Sequence, residues 1–161
     1  MIKLKKVVIN KYKSIQKPQT VNIGEHVTTI VGMNESGKTN FLEVIAKTNY
    51  FNEDPDFKFD ITQDYPRNEL IEFQGNENDE DIIACHYNIS PELLSQIEKE
   101  IGKGIFTGSD FSYICHYKVK TNTVVGISAN QRKFIENKVN NYKLSTATKT
   151  AIKKFWAKRR G

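Results

Sequence analysis

The chain lacks most of the marks of secreted and membrane proteins. It has 2 cysteines in 161 residues, too few for a disulfide framework. No apolar run approaches the roughly 20 residues of a membrane span. The opening Met1-Ile2-Lys3-Leu4-Lys5-Lys6 has no apolar segment of the kind a signal peptide requires. Hydrophobic residues make up 38% and mean hydropathy is −0.56, so a soluble, cytoplasmic protein with no membrane partner is expected. Arginine is scarce: Arg67 is the only one before Arg132. That argues against a small-molecule kinase, which closes an arginine-bearing lid over its phosphates. Acidic residues are nearly missing at the other end, where 10 basic residues from Arg132 onward face Glu136 alone. Neither Ser14 nor Ser36 sits in a nucleophile elbow, no catalytic triad is visible, and no pair of carboxylates has a spacing that dictates geometry.

What is present begins with size. The length suits one ordinary domain with a real core. Within it, Val27-Thr28-Thr29-Ile30-Val31 is β-branched throughout and free of breakers, so a buried strand is predicted there. It runs into Gly32-Met33-Asn34-Glu35-Ser36-Gly37-Lys38-Thr39, which fits the phosphate-binding pattern G-x-x-x-x-G-K-[ST]. The chemistry explains the spacing. Gly32 and Gly37 let the backbone wrap phosphates with no Cβ in the way. The N–H groups of Asn34, Glu35, Ser36, Gly37, Lys38 and Thr39 can form an anion nest. A helix opening near Gly37 adds roughly half a unit of positive charge. Lys38 reaches the β- and γ-phosphates, and the Thr39 hydroxyl is the expected Mg²⁺ ligand. A chance match in a chain this long is on the order of 1%, so ATP with Mg²⁺ is the expected cofactor. After the loop, Phe41, Leu42 and Ile45 fall on one helical face bordered by Val44, while Glu43 and Lys47 sit four apart on the wet side.

The remaining chain reads as alternating elements. Strands are predicted at residues 2–9, 20–23 and 82–89. A hairpin is predicted from Phe111–Val119 and Thr123–Ile127. Residues 49–81 read as mostly irregular, with Asn52–Asp56 a polar loop. Ser90-Pro91 opens a helix to about Ile101, with Ser at the N-cap and Pro at the first position. Helices are predicted at 131–140 and 146–158, the second with Ala151, Ile152, Phe155 and Trp156 on one face. Cys85-His86-Tyr87 and Cys115-His116-Tyr117 echo each other. Zinc is disfavoured there, because neighbouring side chains in a strand point to opposite faces. His26, in a turn, reads as a surface residue.

Three stretches resemble a known family: Ile9-Asn10-Lys11-Tyr12-Lys13-Ser14-Ile15, Val31 to Asn40, and Asp64-Tyr65-Pro66-Arg67. They are similar to the "I-x-N-[FY]-[KR]-S", "V-G-x-N-E-S-G-K-T-N" and "D-[FY]-P-R" stretches of the overcoming-lysogenisation-defect (OLD) family. That family belongs with the SMC/RecF-type ABC ATPases. The likeness covers roughly the first 75 residues. It implies an α/β fold, a mixed sheet with an antiparallel β-subdomain, as in the N-terminal lobe of an ABC-type head. By position it adds Asn40, Lys13 and Ser14 to the nucleotide contacts. It offers Gln63 or Asp64 for the role of touching Mg²⁺ and the attacking water.

The departures from the family shape the expectation as much as the matches. No apolar run after residue 81 ends in Asp-Glu, and no S-G-G signature, distal switch histidine or nuclease region is visible. The expectation is an N-terminal fragment, a truncated reading frame or one piece of a split ATPase. It would bind ATP with weak or no turnover. A second head in a homodimer, or a C-terminal half, would supply the remaining groups, in DNA repair or phage defence. Residues 1–128 would form the ATPase lobe and 129–161 a basic helical segment. Charge supports an alternative. Residues 1–81 hold 10 Lys/Arg against 14 Asp/Glu, a balance of −4, and residues 82–161 hold 14 against 5, a balance of +9. A non-enzymatic DNA- or RNA-binding module could use the basic C-terminal helices, although a solvated basic helix is the plainer account of the charge.

Overall fold

Period-two alternation builds the sheet. In the computed structural model, which describes residues 1–33, 36–50, 57–119 and 121–158, β1 (Ile2–Ile9) turns Val7 and Ile9 fully inward. It pairs antiparallel with β2 (Gln19–Asn22) in the register Val7↔Val21 and Ile9↔Gln19. On its other side β1 meets β3 (Asp81–Ile89). The Asn10 N–H donates to Ile82 O and the Ser90 N–H to Met1 O, both at 2.9 Å, so these strands also run antiparallel. β5 (Asp110–His116) follows, tied by Ile89 N–H to Ser109 O at 2.8 Å, and β6 (Thr123–Val125) closes the hairpin. The order is β2-β1-β3-β5-β6, giving a mixed α/β structure around an antiparallel five-stranded sheet.

One face of that sheet is covered by α1 (Lys38–Tyr50). Phe41 and Val44 join Val7, Ile9, Tyr12, Ile15, Ile83, Cys85 and Cys115 in one buried cluster. Fully burying an aliphatic or aromatic side chain stabilises by roughly 1.5–3 kcal/mol, and this sets the rotation of the helix. The inward face runs through Phe41, Val44, Lys47 and Thr48. Leu42, expected inside, is 61% exposed, and Lys47, expected in water, is buried. A face spaced 41-44-48 cannot also contain 42, which lies about 100° away from 41.

The predicted strand at 27–31 does not form. Residues 27–33 belong to neither sheet, and Val27, Val31 and Met33 are 80–85% exposed. An apolar strand of this kind is stable only between neighbours that take both its edges and both its faces. The described sheet gives it no such place.

The stretch read as irregular contains two short helices, α2 (Ile61–Asp64) and α3 (Leu70–Gly75). Asp60 caps α2 by accepting from the Thr62 and Gln63 N–H groups. Asn52–Asp56 lies outside the described residues.

The chain divides into two compact units. Most of the sheet, apart from the first residues of β1 and β5 and the last of β3, and α1–α3 lie in the unit formed by Leu4–Tyr87 and Phe111–Val125. The other comprises Met1–Lys3, Asn88–Asp110 and Gly126–Gly161. It contains α4 (Pro91–Ile101), α5 (Gln131–Asn141), α6 (Thr146–Lys158) and a two-stranded sheet of β4 (Phe106–Thr107) with β7 (Ser128–Ala129), which was not foreseen. Ser90 caps α4 as expected, its Oγ accepting the Leu93 N–H at 3.4 Å. Where α4 ends, the Asn137 side-chain amide donates to Ile101 O at 2.6 Å. Gly102 there has φ +117°, and a Cβ on it would stand 2.1 Å from that amide nitrogen. Among the described residues no helix is long and apolar enough to cross a membrane.

Candidate functional site

The loop and the helix it feeds carry the densest set of expected residues. Gly37, at φ +88°, turns the chain into α1, whose ladder opens with Phe41 N–H donating to Gly37 O at 2.9 Å. Lys38 and Thr39 are the first helical residues, where N–H groups have no partner within the helix. No acidic side chain occupies that first turn. The Lys38 ammonium donates to Gly32 O at 2.7 Å and Met33 O at 2.5 Å, so the loop is curled onto its own lysine. At Gly32 a Cβ would lie 2.6 Å from Ser36 Oγ, so a side chain there would require the serine hydroxyl to turn away. Asn34 and Glu35, the other expected loop contacts, lie outside the described residues. The Ser36 N–H donates to Met33 O at 3.3 Å, while among the described residues the Lys38 ammonium is held by two carbonyls and Thr39 is exposed. The lysine, the hydroxyl and the helix-opening amides are a donor set that suits a phosphate group with its metal.

The Lys13-Ser14 turn meets the loop. Tyr12 and Ile15 exchange backbone hydrogen bonds at 2.9 and 2.7 Å, and both side chains are buried. Lys13, between them, has φ +49° and donates its N–H to Asp64 O at 2.6 Å. Ser14 Oγ accepts the Asn40 side-chain amide at 2.8 Å and stands 3.3 Å from where a Gly37 Cβ would be. Lys13, Ser14, Gly37 and Asn40 are therefore one group. Glu43 belongs with them: both its oxygens accept the Lys13 ammonium at 2.7 Å. Burial alone would push the Glu43 pKa up. The hydrogen bonds from Lys13 and the charges of Lys13 and Lys47 outweigh it and hold the carboxyl below its usual range.

Asp64 is placed differently from Gln63. Its carboxylate is buried, accepting Lys47 Nζ at 2.8 and 2.7 Å and the Asp60 N–H at 2.9 Å. Its oxygens are thus committed to an internal ion pair. The Lys47 ammonium also lies within 6 Å of the Tyr12, Phe57 and Phe59 ring centres. The Tyr12 hydroxyl is enclosed with no hydrogen-bond partner among the described residues. Burial, then the negative fields of Asp64 and Glu43, push its pKa up. Gln63 is exposed and lines a cleft of about 800 Å³ together with Lys13, Gln16 and Arg67.

No family model matches this chain, and no curated protein matches it.

The Cys-His echo resolves into two faces of the sheet. Cys85 and Cys115 are buried in the core. On the opposite face, His86 Nδ1 lies 2.7 Å from Ser112 Oγ. His116 there bridges the Asp81 carboxylate and Thr123 Oγ1, both at 2.8 Å. Among the described residues no group of three or more His, Cys, Asp or Glu converges on a metal-sized site. In the other unit, α5 and α6 carry the basic run, with Tyr142 64% exposed and Phe134 37% exposed among lysines. Sequence reasoning missed Glu43 and Lys47 as partners of Lys13 and Asp64. Their i,i+4 spacing fitted a solvent pair, and only the tertiary approach of the 12–15 turn and α2 separates them.

Proposed function

We propose that this chain is a nucleotide-binding lobe that holds Mg-ATP at Gly32–Thr39, in the manner of OLD/SMC-type ATPases. The observation that carries this reading is the junction of Gly37, Lys38 and Thr39 at the start of α1 with the Lys13-Ser14 turn. Sequence-distant groups suited to one anion meet there. Lys38 exchanges two loop carbonyls for phosphate oxygens when the nucleotide binds. Thr39 would be the protein ligand of Mg²⁺, which would supply charge neutralisation at the phosphates. Asp64, committed to Lys47, takes no part in hydrolysis in this reading, and a second head or a C-terminal half supplies the hydrolytic groups. DNA repair or phage defence is the setting that the family resemblance supplies.

The test is calorimetry with Mg-ATP and a non-hydrolysable analogue. Wild type is expected to bind both. Lys38→Ala should weaken binding at least tenfold, about 1.4 kcal/mol, with its thermal melt unchanged. Absence of binding heat in folded wild type, or unchanged affinity in the variant, refutes the reading.

The charge and exposed aromatics of α5 and α6 favour a second reading, a nucleic-acid-binding module. It requires affinity for an oligonucleotide that falls steeply with salt and is indifferent to both ATP and Lys38→Ala.

A further inference from the structure

The loop is short of positive charge. A triphosphate with one Mg²⁺ keeps about two negative charges. Lys38 offers one positive charge against them, and that of Lys13 is cancelled by the bidentate Glu43 carboxylate. The 800 Å³ cleft that Lys13 borders contains a second cation, Arg67, and no carboxylate lines it among the described residues. Its other polar lining includes Gln16, Thr62, Gln63 and Asn68, which are hydroxyl or amide groups.

The chain leading into Arg67 is anchored. The two residues before it are buried, Tyr65 at 2% exposure and Pro66 fully. The Tyr65 ring stacks on Phe73, with 4.2 Å between ring centroids and planes 6° apart. The Tyr65 hydroxyl donates to Glu80 at 3.0 Å. The Arg67 side chain is exposed and makes no hydrogen bond or ion pair among the described residues. A fixed backbone carrying a guanidinium with five unengaged donors suits bidentate recognition of a phosphate.

We propose that Arg67 reaches across this cleft to the terminal phosphate of the bound nucleotide and makes the lobe prefer tri- over diphosphate. This rests on the nucleotide-binding reading above.

The experiment titrates wild type, Arg67→Ala, Arg67→Lys and Lys38→Ala with a non-hydrolysable ATP analogue and with ADP, each with Mg²⁺, by calorimetry. Arg67→Ala should lose tenfold or more in triphosphate affinity and stay within twofold for ADP. Arg67→Lys should fall between, since an ammonium cannot match the fork of the guanidinium. Equal losses for both nucleotides, or no loss for the triphosphate, overturn the role of Arg67 while a Lys38-dependent wild-type affinity stands. A wild type that binds neither nucleotide overturns both readings. Thermal melts of the Arg67 variants control for folding. If Arg67→Ala melts lower, the triphosphate-to-ADP ratio in Arg67→Lys decides, with an unchanged ratio counting against the proposal.

Discussion

Replacing Lys47 by alanine should be among the most damaging single changes in the chain. Its ammonium lies 2.7 and 2.8 Å from the two Asp64 oxygens, with side-chain exposures of 8% and 1%. The substitution strands a carboxylate that, among the described residues, keeps the Asp60 N–H as its one hydrogen-bond partner. Removing one member of a buried pair costs about 3–5 kcal/mol, whereas replacing both by apolar residues of similar volume is often neutral. At about 2–4 °C per kcal/mol for a chain of this size, Lys47→Ala should lower the melting temperature by on the order of 10 °C. Asp64→Leu should also destabilise, by leaving the ammonium and the Asp60 N–H unpaired. The double variant Lys47→Met/Asp64→Leu should be more stable than the sum of the single losses, with a coupling of more than 1 kcal/mol. Urea denaturation of the four proteins measures the cycle. A single-variant loss under 1 kcal/mol, or additive losses, would refute the view that the pair is buried and mutually dependent.

Two further outcomes follow from the titrating groups. Glu43 and Asp79 both have carboxyl pKa values held low in the fold. For Asp79, burial pushes up but is outweighed by the N–H groups of Lys118, Val119 and Glu80, each donating at 2.8 Å. A depressed folded pKa gives stability that is complete above the unfolded carboxylate value, about 4, and lost as pH falls through the folded one. Urea midpoints should therefore hold from pH 7 to 5 and drop towards pH 3, and a profile flat to pH 3 would contradict this. The thiols behave oppositely: burial raises Cys85, while burial and the neighbouring Cys85 push Cys115 up to about 12. Neither should react with a disulfide reagent over minutes in native protein, and both should react in urea. A rapid native phase would show that the thiols are not enclosed.

Local signals were the legible part of the fold. Ser90-Pro91 announces α4, the β-branched alternation at 2–9 and 82–89 announces two strands, and Gly37-Lys38-Thr39 announces the start of α1. Each needs only a few consecutive residues to act. What escaped depends on partners elsewhere. Val27–Val31 has strand propensity, but a strand exists only through its neighbours, and the described sheet places none beside it. Glu43 and Lys47 look like a surface pair until Lys13 and Asp64 approach from outside the helix. Leu42 looks like a core residue until the sheet selects the face through Phe41 and Val44. For the site, the grouping of Lys13 and Ser14 with the loop followed from family likeness. The exposure of Arg67 beside them has a faint sequence cue, a solitary arginine after an aromatic-proline anchor.

Lys13 occupies backbone space that glycine or asparagine would enter without penalty. A lysine held at φ +49° costs about 1–2 kcal/mol relative to an ordinary conformation. The surroundings over-determine it, through the carbonyl of Asp64, the reciprocal bonds of Tyr12 and Ile15, and the grip of Glu43. The turn is thus a small reservoir of torsional strain kept under tension beside the loop, where a cation sits at the expense of a relaxed backbone.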